Sequence, residues 1–327
     1  MGYNKENYRR IRTEYETKAF AVQAEAEARR EELYREIPEL KELDGQLSAF
    51  GLRIMQTALQ GGDPSEGIEA LRKENEEIRR IRAEILVRHG YPADYSDPHY
   101  ECTLCKDSGY VGIKMCSCMR KRLIEAGMES SGLSGLIHKQ SFENFSLGYY
   151  SKNPEHLEKM THALKKVREY AHGFTLEGEE PMQGLLFIGG TGLGKTHLST
   201  ALAKTVIEKG YDVIYTSAVS MLSDFEQRRF GNAMTQGDAD NTGRYTECDL
   251  LIIDDLGTEV KNQFTISCIY HVVNTRLNLQ RPTVISTNLS SAELREDYGD
   301  RLASRLMGEY DMIAFFGTDI RKQKFYS

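Results

Sequence analysis

Eight consecutive residues, Gly189-Gly190-Thr191-Gly192-Leu193-Gly194-Lys195-Thr196, combine four glycines with a lysine and a hydroxyl. They fit the phosphate-loop pattern G-x-x-x-x-G-K-[ST] at every fixed position. The chemistry needs these residue types. Backbone N–H groups can converge on phosphate oxygens only where no side chain blocks them, which glycine permits. A helix beginning near Lys195, with His197 in its first turn, would aim its positive dipole end at the anion. Lys195 adds a point charge for the β- and γ-phosphates, and the Thr196 hydroxyl suits Mg²⁺. The apolar run before the loop and the amphipathic pattern after it (Leu198, Ala201, Leu202, Val206) supply the strand and helix such a loop requires. The sequence therefore reads as a binder of a nucleoside triphosphate.

A second apolar run, Leu250-Leu251-Ile252-Ile253, ends in Asp254-Asp255. Asp254 can hold Mg²⁺ through water, and Asp255 stands where a base would orient an attacking water. The next run ends in Ser286-Thr287-Asn288. Asn288 either brings an amide to the γ-phosphate or the water, or simply starts a turn. Arg301 and Arg305 are four apart on a predicted helix and share one face, and Arg321 follows the last apolar run. Each is either an exposed arginine or a neutraliser of charge on the transferring phosphoryl group, from the same chain or a neighbour.

Six cysteines occur, four of them clustered: Cys102 and Cys105 as C-x-x-C, then Cys116 and Cys118 as C-x-C. Four thiolates so close in sequence can close a tetrahedral Zn²⁺ site with no open position. Gly109 is placed for the tight turn after the first pair, and His99 is an alternative ligand. Lys114, Arg120, Lys121 and Arg122 make the rim basic, as a solvated face or a nucleic-acid contact.

The elements that must position these groups follow from periodicity. Residues from about 3 to 90 read as helical. Leu40, Leu43, Leu47, Phe50 and Ile54 form one apolar stripe; Ile68, Leu71, Ile78, Ile81 and Ile85 form a second. Gly61-Gly62 ends the first helix, and Asp63-Pro64-Ser65-Glu66 starts the next as a capping box. The stripes either bury each other in an antiparallel hairpin or leave apolar edges for a partner protein. Residues 126–153, rich in Gly and Ser, read as a linker. Apolar runs at Leu185–Ile188, Val213–Tyr215, Leu250–Ile253, Val284–Ser286 and Met312–Phe316 alternate with helical segments. That pattern predicts an α/β fold with a five-stranded parallel sheet, binding its ligand at the carboxyl ends of the strands. No run reaches the ~18 apolar residues of a membrane span, and the N-terminus lacks a signal-peptide core, so a cytoplasmic protein without membrane contact is expected. The net charge of −7 argues against a global electrostatic grip on nucleic acid.

The set GGTGLGKTHL, DLLIIDDLGTE, VISTNLS, YGDRLASRLMG and GTDIRKQ, with Ser141-Phe142-Glu143-Asn144-Phe145 before it, resembles the AAA+ ATPases of the DnaC/DnaI type, the bacterial replicative helicase loaders. The resemblance covers about 142–327; the helices and cysteine cluster before it are similar to the zinc-containing DnaI-type loaders. It implies a Mg²⁺-dependent ATPase acting in DNA replication. By it, residues 189–196 with Lys195 and Thr196 are Walker A, Asp254 and Asp255 Walker B, and Asn288 sensor 1. Arg305, with Arg301 beside it, is the arginine finger, and Arg321 is sensor 2. Few residues follow Arg321, so neither a C-terminal lid nor a DNA-binding domain is expected. Aspartate at 255, where many relatives of this fold carry glutamate, implies slow basal hydrolysis. The implied organisation is a helical docking region (1–98), a zinc module (99–125), a linker (126–153) and the ATPase domain (154–327). The implied partners are a hexameric helicase, single-stranded DNA and further copies of the chain. On the helix from Ser217 to Phe230, Phe225, Arg228 and Arg229 either line a DNA path or, for Phe225, belong to the core. The IstB-type transposition helpers share the core motifs and are the alternative.

Overall fold

The computed structural model describes residues 3–59, 65–137, 139–178, 180–230 and 241–325. The expected helix stop at Gly61-Gly62 and the capping residues Asp63-Pro64 lie outside them. The chain forms two compact units: Arg12–Cys118, and Met1–Ile11 together with Met119–Ser327.

The helical stretch expected over 3–90 divides into α1 (Lys5–Glu36), α2 (Pro38–Leu59) and α3 (Ser65–Arg88). The break before α2 has a simple cause. Pro38 cannot donate a backbone hydrogen bond, and its ring clashes with the preceding turn, so it is tolerated only at a helix start. In the Arg12–Cys118 unit, α2 and α3 run antiparallel. Leu40 packs with Ile85 and Leu86, while Phe50 packs with Leu71 and Ile78. The Arg53–Glu74 pair across the hairpin is exposed, and such pairs contribute ~0–1 kcal/mol. Each buried Leu, Ile or Phe contributes roughly 1.5–3 kcal/mol, so the apolar seam dominates. Most of each predicted stripe is consumed in this seam. The exposed apolar side chains are mainly others: Leu52 (56%), Met55 (55%), Leu59 (77%) and Val87 (62%), with Ile81 at 36%. After α3 a short antiparallel hairpin, β1 (Tyr110–Val111) and β2 (Lys114–Met115), lies within the cysteine segment.

The larger unit continues with α4 (Ser117–Ser130), α5 (Pro154–Gly173), β3 (Gly184–Ile188), α6 (Lys195–Glu208), β4 (Val213–Ser217), α7 (Ala218–Phe230) and α8 (Arg244–Glu247). It is completed by β5 (Leu250–Leu256), α9 (Gln263–Asn278), β6 (Thr283–Thr287), α10 (Ser291–Glu309), β7 (Tyr310–Ala314) and α11 (Ile320–Phe325). The five strands β3 to β7 pair in parallel in the order β4-β5-β6-β3-β7. Side chains alternate across the sheet, as a period of two requires. Leu185, Phe187, Ile252 and Val284 face a core built with α5 and α6, whereas Leu186, Ile253 and Ile285 face one built with α7, α9 and α10.

Residues 126–153 are not the loose connector their Gly and Ser content predicts. Ala126, Leu133, Ile137, Phe142, Phe145 and Tyr150 are all buried, and all but Ala126 are part of the first of these cores. Their irregular spacing gives no helical or strand period, which hides them in the sequence. The first residues of the chain also belong to this unit. The Asn7 side-chain amide donates to the Ala126 carbonyl (3.1 Å) and the Ser130 hydroxyl (2.8 Å), and Asn4 Nδ2 donates to Asp212 (3.3 Å).

Arg276 of α9 is fully buried. Its guanidinium donates to the carbonyls of Tyr245 (3.1 Å) and Cys248 (2.9 Å) at the end of α8, and of Asp249 (3.3 Å) and Pro282 (2.7 Å). Nε donates to the Thr283 hydroxyl at 2.9 Å. Carbonyl dipoles, rather than a carboxylate, compensate this charge among the described residues. Arg276→Met would leave several buried acceptors without donors, at a cost of roughly 3 kcal/mol or more for the set. Urea denaturation should give a correspondingly lower unfolding free energy; a loss below ~1 kcal/mol would contradict the clamp.

Candidate nucleotide-binding site and cysteine cluster

β3 ends at Ile188, and the glycine-rich turn carries the chain to Lys195, the first residue of α6. Two glycines are required by geometry. Gly192 has φ +72°, and a Cβ there would lie 2.0 Å from Asp319 Oδ1. Gly194, with φ +89°, would drive a Cβ to 2.9 Å from the Phe145 ring. The Lys195 ammonium donates to the carbonyls of Gly189 (2.6 Å) and Gly190 (2.7 Å) and to Asn288 Oδ1 (2.6 Å). Burial lowers its pKa, opposed by the nearby Asp255 and Asp254 charges. Asn288 thus touches the loop lysine and does more than begin a turn.

At the end of β5, Asp254 is held by hydroxyls. Thr196 Oγ1 donates to Asp254 Oδ2 at 2.9 Å, Tyr215 Oη donates to the same oxygen at 2.5 Å, and Ser286 Oγ donates to Oδ1. Burial and the adjacent carboxylate both push the Tyr215 phenol pKa up, so it stays a donor. Asp255 takes a left-handed conformation, φ +55°, where the β5–β6 register shifts. Its backbone N–H donates to Ser286 Oγ at 3.0 Å. That turn directs its side chain away from the strand's alternation and onto the cleft. Burial, then the Asp254 charge, raises its pKa.

These strand ends border a cleft of about 650 Å³ lined by Thr191 to His197, Asp255, Thr258, Asn288, Ile320 and Arg321. Leu136, Gln140, Asn144, Phe145, Ser146 and Tyr149 line it too. That group comes from the stretch read as a linker; Asn144 and Phe145 belong to the Ser141–Phe145 segment that contributes to the resemblance, and no motif marks the others. His197 Nε2 lies 2.9 Å from the Ser141 carbonyl, with its ring edge-on to Phe145 at 5.2 Å. Tyr150 Oη donates to the Leu193 carbonyl at 2.9 Å, tying the same stretch to the loop. The Ile320 N–H donates to the Gly192 carbonyl (3.0 Å), which brings α11 and Arg321 to the loop.

Arg301 and Arg305 lie outside this cleft. Both follow Gly299, where α10 is kinked by φ +77°. Arg301 is exposed beside a recess lined by Tyr270 and Tyr298. The Arg305 guanidinium lies 5.4 Å over the Tyr270 ring, and its Nε is buried without a hydrogen-bond partner. On α7, Phe225 packs against the core and stacks with Tyr245 at 6.1 Å, which fulfils the core alternative for that residue. Arg228 donates to the Thr242 hydroxyl (2.6 Å), and Arg229 lies 4.9 Å over Phe264.

In the smaller unit, the sulfurs of Cys102, Cys105, Cys116 and Cys118 all lie within 4.8 Å of one another. Cys102 and Cys116 are 3.8 Å apart, Cys105 and Cys118 3.5 Å, and none is in a disulfide. A Zn–S length of about 2.3 Å gives tetrahedral S···S edges of about 3.8 Å, so the donor set fits such an ion. The Asp107 carboxylate accepts from the N–H groups of Glu101 (2.9 Å) and Cys102 (2.8 Å) and holds the first knuckle. His99 is exposed and stands outside the group, so the four cysteines form the candidate set.

The strand order, the glycine loop and the paired aspartates define a P-loop ATPase core of the AAA+ class. Residues 156–323 match the family model of the IstB-like ATP-binding proteins, and the chain belongs to that family. It is 26% identical over 189 residues to the replicative helicase loader DnaC of Escherichia coli (strain K12), covering 58% of this chain and 71% of the relative. It is 26% identical over 229 residues to the phage-like element PBSX protein XkdC of Bacillus subtilis (strain 168), covering 66% and 81%. Among solved structures, the DnaC helicase loader aligns at 23% identity over 56% of this chain and all of that one, with TM-score 0.46. DnaI aligns at 18% identity over 56% and 91%, with TM-score 0.43. No helix among the described residues is long and apolar enough to cross a membrane.

The cysteine geometry generates a direct expectation. Protein purified without added metal should carry one Zn²⁺ per chain by elemental analysis. Cys105→Ser should lose it and unfold the segment around 100–122 while leaving ATP binding intact. A metal-free protein with that segment fully protected in hydrogen exchange would refute the site.

Proposed function

We propose that this protein is an ATP-hydrolysing loader that helps place a replicative helicase on single-stranded DNA. The observation that carries the reading is a separation: Lys195, Thr196, Asp255, Asn288 and Arg321 line one cleft, whereas Arg301 and Arg305 do not. A site so divided is completed by a neighbouring copy, which ties turnover to assembly. The relatives named as replicative helicase loaders supply the biological context. The family's IstB-like description keeps a transposition helper as the second reading.

In this reading the loop amides and Lys195 bind the β- and γ-phosphates. Thr196 and Asp254 would hold Mg²⁺, which when bound neutralises charge on the phosphate oxygens. Tyr215 and Ser286 fix the Asp254 carboxylate, and Asn288 and Asp255 orient water for attack on the γ-phosphorus. Its raised pKa makes Asp255 a better proton acceptor than an ordinary aspartate. The new O–P bond forms as the bond from the γ-phosphorus to the bridging oxygen breaks, giving ADP and phosphate. Arg305, with Arg301 beside it, serves a neighbour's γ-phosphate.

Arg305→Ala should bind ATP normally and fail to hydrolyse it at any protein concentration, while Lys195→Ala should not bind it. Mixing the two should restore turnover, because Arg305 of one chain can serve the intact loop of another. An arginine acting in trans is worth roughly 10³–10⁵ in rate where best measured, so even partial recovery is visible. A dead mixture, with parental specific activity independent of concentration, would place Arg305 outside catalysis in trans.

Docking on the helicase is assigned to the α2–α3 hairpin, whose exposed apolar residues have no role in its own seam. Leu52→Glu combined with Met55→Glu in the full chain should weaken capture of the source organism's replicative helicase at least tenfold, with helicity unchanged by circular dichroism. Undiminished capture would move the docking surface elsewhere.

A further inference from the structure

The loop that leaves β5 is bonded to α10 just ahead of the arginines. Asp255 and Thr258 border the nucleotide cleft and close a tight turn, in which the Thr258 N–H (3.3 Å) and hydroxyl (2.8 Å) both donate to the Asp255 carbonyl. The turn is anchored to β6, since the Thr287 hydroxyl donates to the Leu256 carbonyl at 2.7 Å. Glu259, the next residue, is buried. One of its carboxylate oxygens accepts from the Gly257 N–H at 2.9 Å, and the other accepts from the Tyr298 hydroxyl. Burial, then the hydrogen bond to Glu259, raises the Tyr298 pKa, so the phenol stays a donor. The same loop holds α10 a second time, through the ion pair of Lys261 with Asp297.

Tyr298 stands immediately before Gly299, where φ +77° interrupts α10. A helix carries its direction from turn to turn through regular dihedrals and hydrogen bonds, and a non-helical residue breaks that transmission. Nothing lies within 4 Å of a Cβ placed at Gly299, so packing does not wedge the kink either. The Arg295–Asp300 ion pair across it is exposed, and such pairs contribute little. Leu302 and Leu306 bury the following half of α10 against the core, but apolar burial is non-directional and sets depth more than angle. The direction of the half that bears Arg301 and Arg305 is therefore set by what holds Tyr298. A buried carboxylate is costly unless it is hydrogen-bonded, and here its bonds supply a direction that an apolar residue would not.

We propose that Glu259 and Tyr298 are positioning residues for the arginines. Their hydrogen bond ties the arginine-bearing half of α10 to the turn that presents Asp255, and so sets where Arg305 meets a neighbour's γ-phosphate. This rests on the reading of Arg305 as acting in trans. Neither residue lines the cleft, so each acts through another group. Within one chain the bond is a strut between the base of its own site and the arginine it offers to the next.

Subunit mixing tests this on the full chain, with Arg305→Ala supplying an intact cleft and Lys195→Ala supplying the arginine. Tyr298→Phe, which removes only the hydroxyl and keeps the buried ring, is placed in one chain or the other. In the arginine-supplying chain it should lower the maximal ATPase rate of the mixture roughly 10- to 100-fold, the loss expected of a group displaced by about 1 Å. The half-saturating concentration of that chain should not change. In the cleft-supplying chain the same substitution should cost far less. Glu259→Gln in the arginine-supplying chain should also lower the maximal rate, and combining it with Tyr298→Phe should lower it little further, because both act through one bond. Equal losses from the two placements, as a general folding role would give, overturn the assignment. So does an unchanged rate, or a change in half-saturating concentration alone. A mixture of Arg305→Ala and Lys195→Ala that is inactive without any further substitution overturns the reading of Arg305 in trans, and this inference with it.

Discussion

A single buried guanidinium sets the frame on which the cleft is built. Arg276 joins the carbonyl end of α8, the approach to β5 at Asp249 and the approach to β6 at Pro282 and Thr283. These are the starts of the two strands whose other ends carry Asp254, Asp255 and Asn288. Because strands are stiff and their pleat has a period of two, fixing where they begin fixes which side chains reach the far edge and which face they take. Burying the charge is costly, yet a fork of five donors meets acceptors that would otherwise be unpaired. A lysine could not span the same set.

At the opposite edge the convergence of donors on acceptors recurs. Three hydroxyls from three elements, Thr196 of α6, Tyr215 of β4 and Ser286 of β6, meet one carboxylate. Asp254 is thereby fixed in position by neutral groups, so its charge remains available to a cation. Asp255, one residue on, is freed from the strand by its left-handed backbone and the register shift. Two adjacent aspartates thus receive different environments: one locked, one presented to the cleft.

How much of this was legible in the chain depends on whether a feature has a period or a fixed spacing. The glycine loop, the aspartate pair and the five short apolar runs have one, and each stands where expected, although the last strand begins at Tyr310 and ends at Ala314, short of Phe316. The packed stretch 126–153 has neither, and only its Ser141–Phe145 segment stood out, by resemblance, so most of its wall of the cleft was hidden. The division of the long helical region at Ile37 was readable, since Pro38 marks it, but a composition rich in helix formers masks a single break. The stripes on α2 and α3 are correctly placed, yet periodicity alone could not say that they would pack on each other and that Leu52, Met55 and Val87 would remain exposed. Tyr215 and Gln140 belong to no motif; only the fold brings them to the site.

The packing of the first turn of α1 has a consequence for biosynthesis. Asn4 finds its partner, Asp212, 208 residues later in the chain. At a synthesis rate of roughly 5–20 residues per second, the N-terminal residues emerge roughly 10–40 s before that partner exists. During that interval Asn4 lacks its partner, although Asn7 can already meet Ala126 and Ser130 of α4. The α2–α3 hairpin, whose contacts are local, faces no such delay. The start of α1 is therefore secured in stages, first on α4 and later at Asp212, and the nucleotide cleft takes shape only once α11, which brings Arg321, has been made.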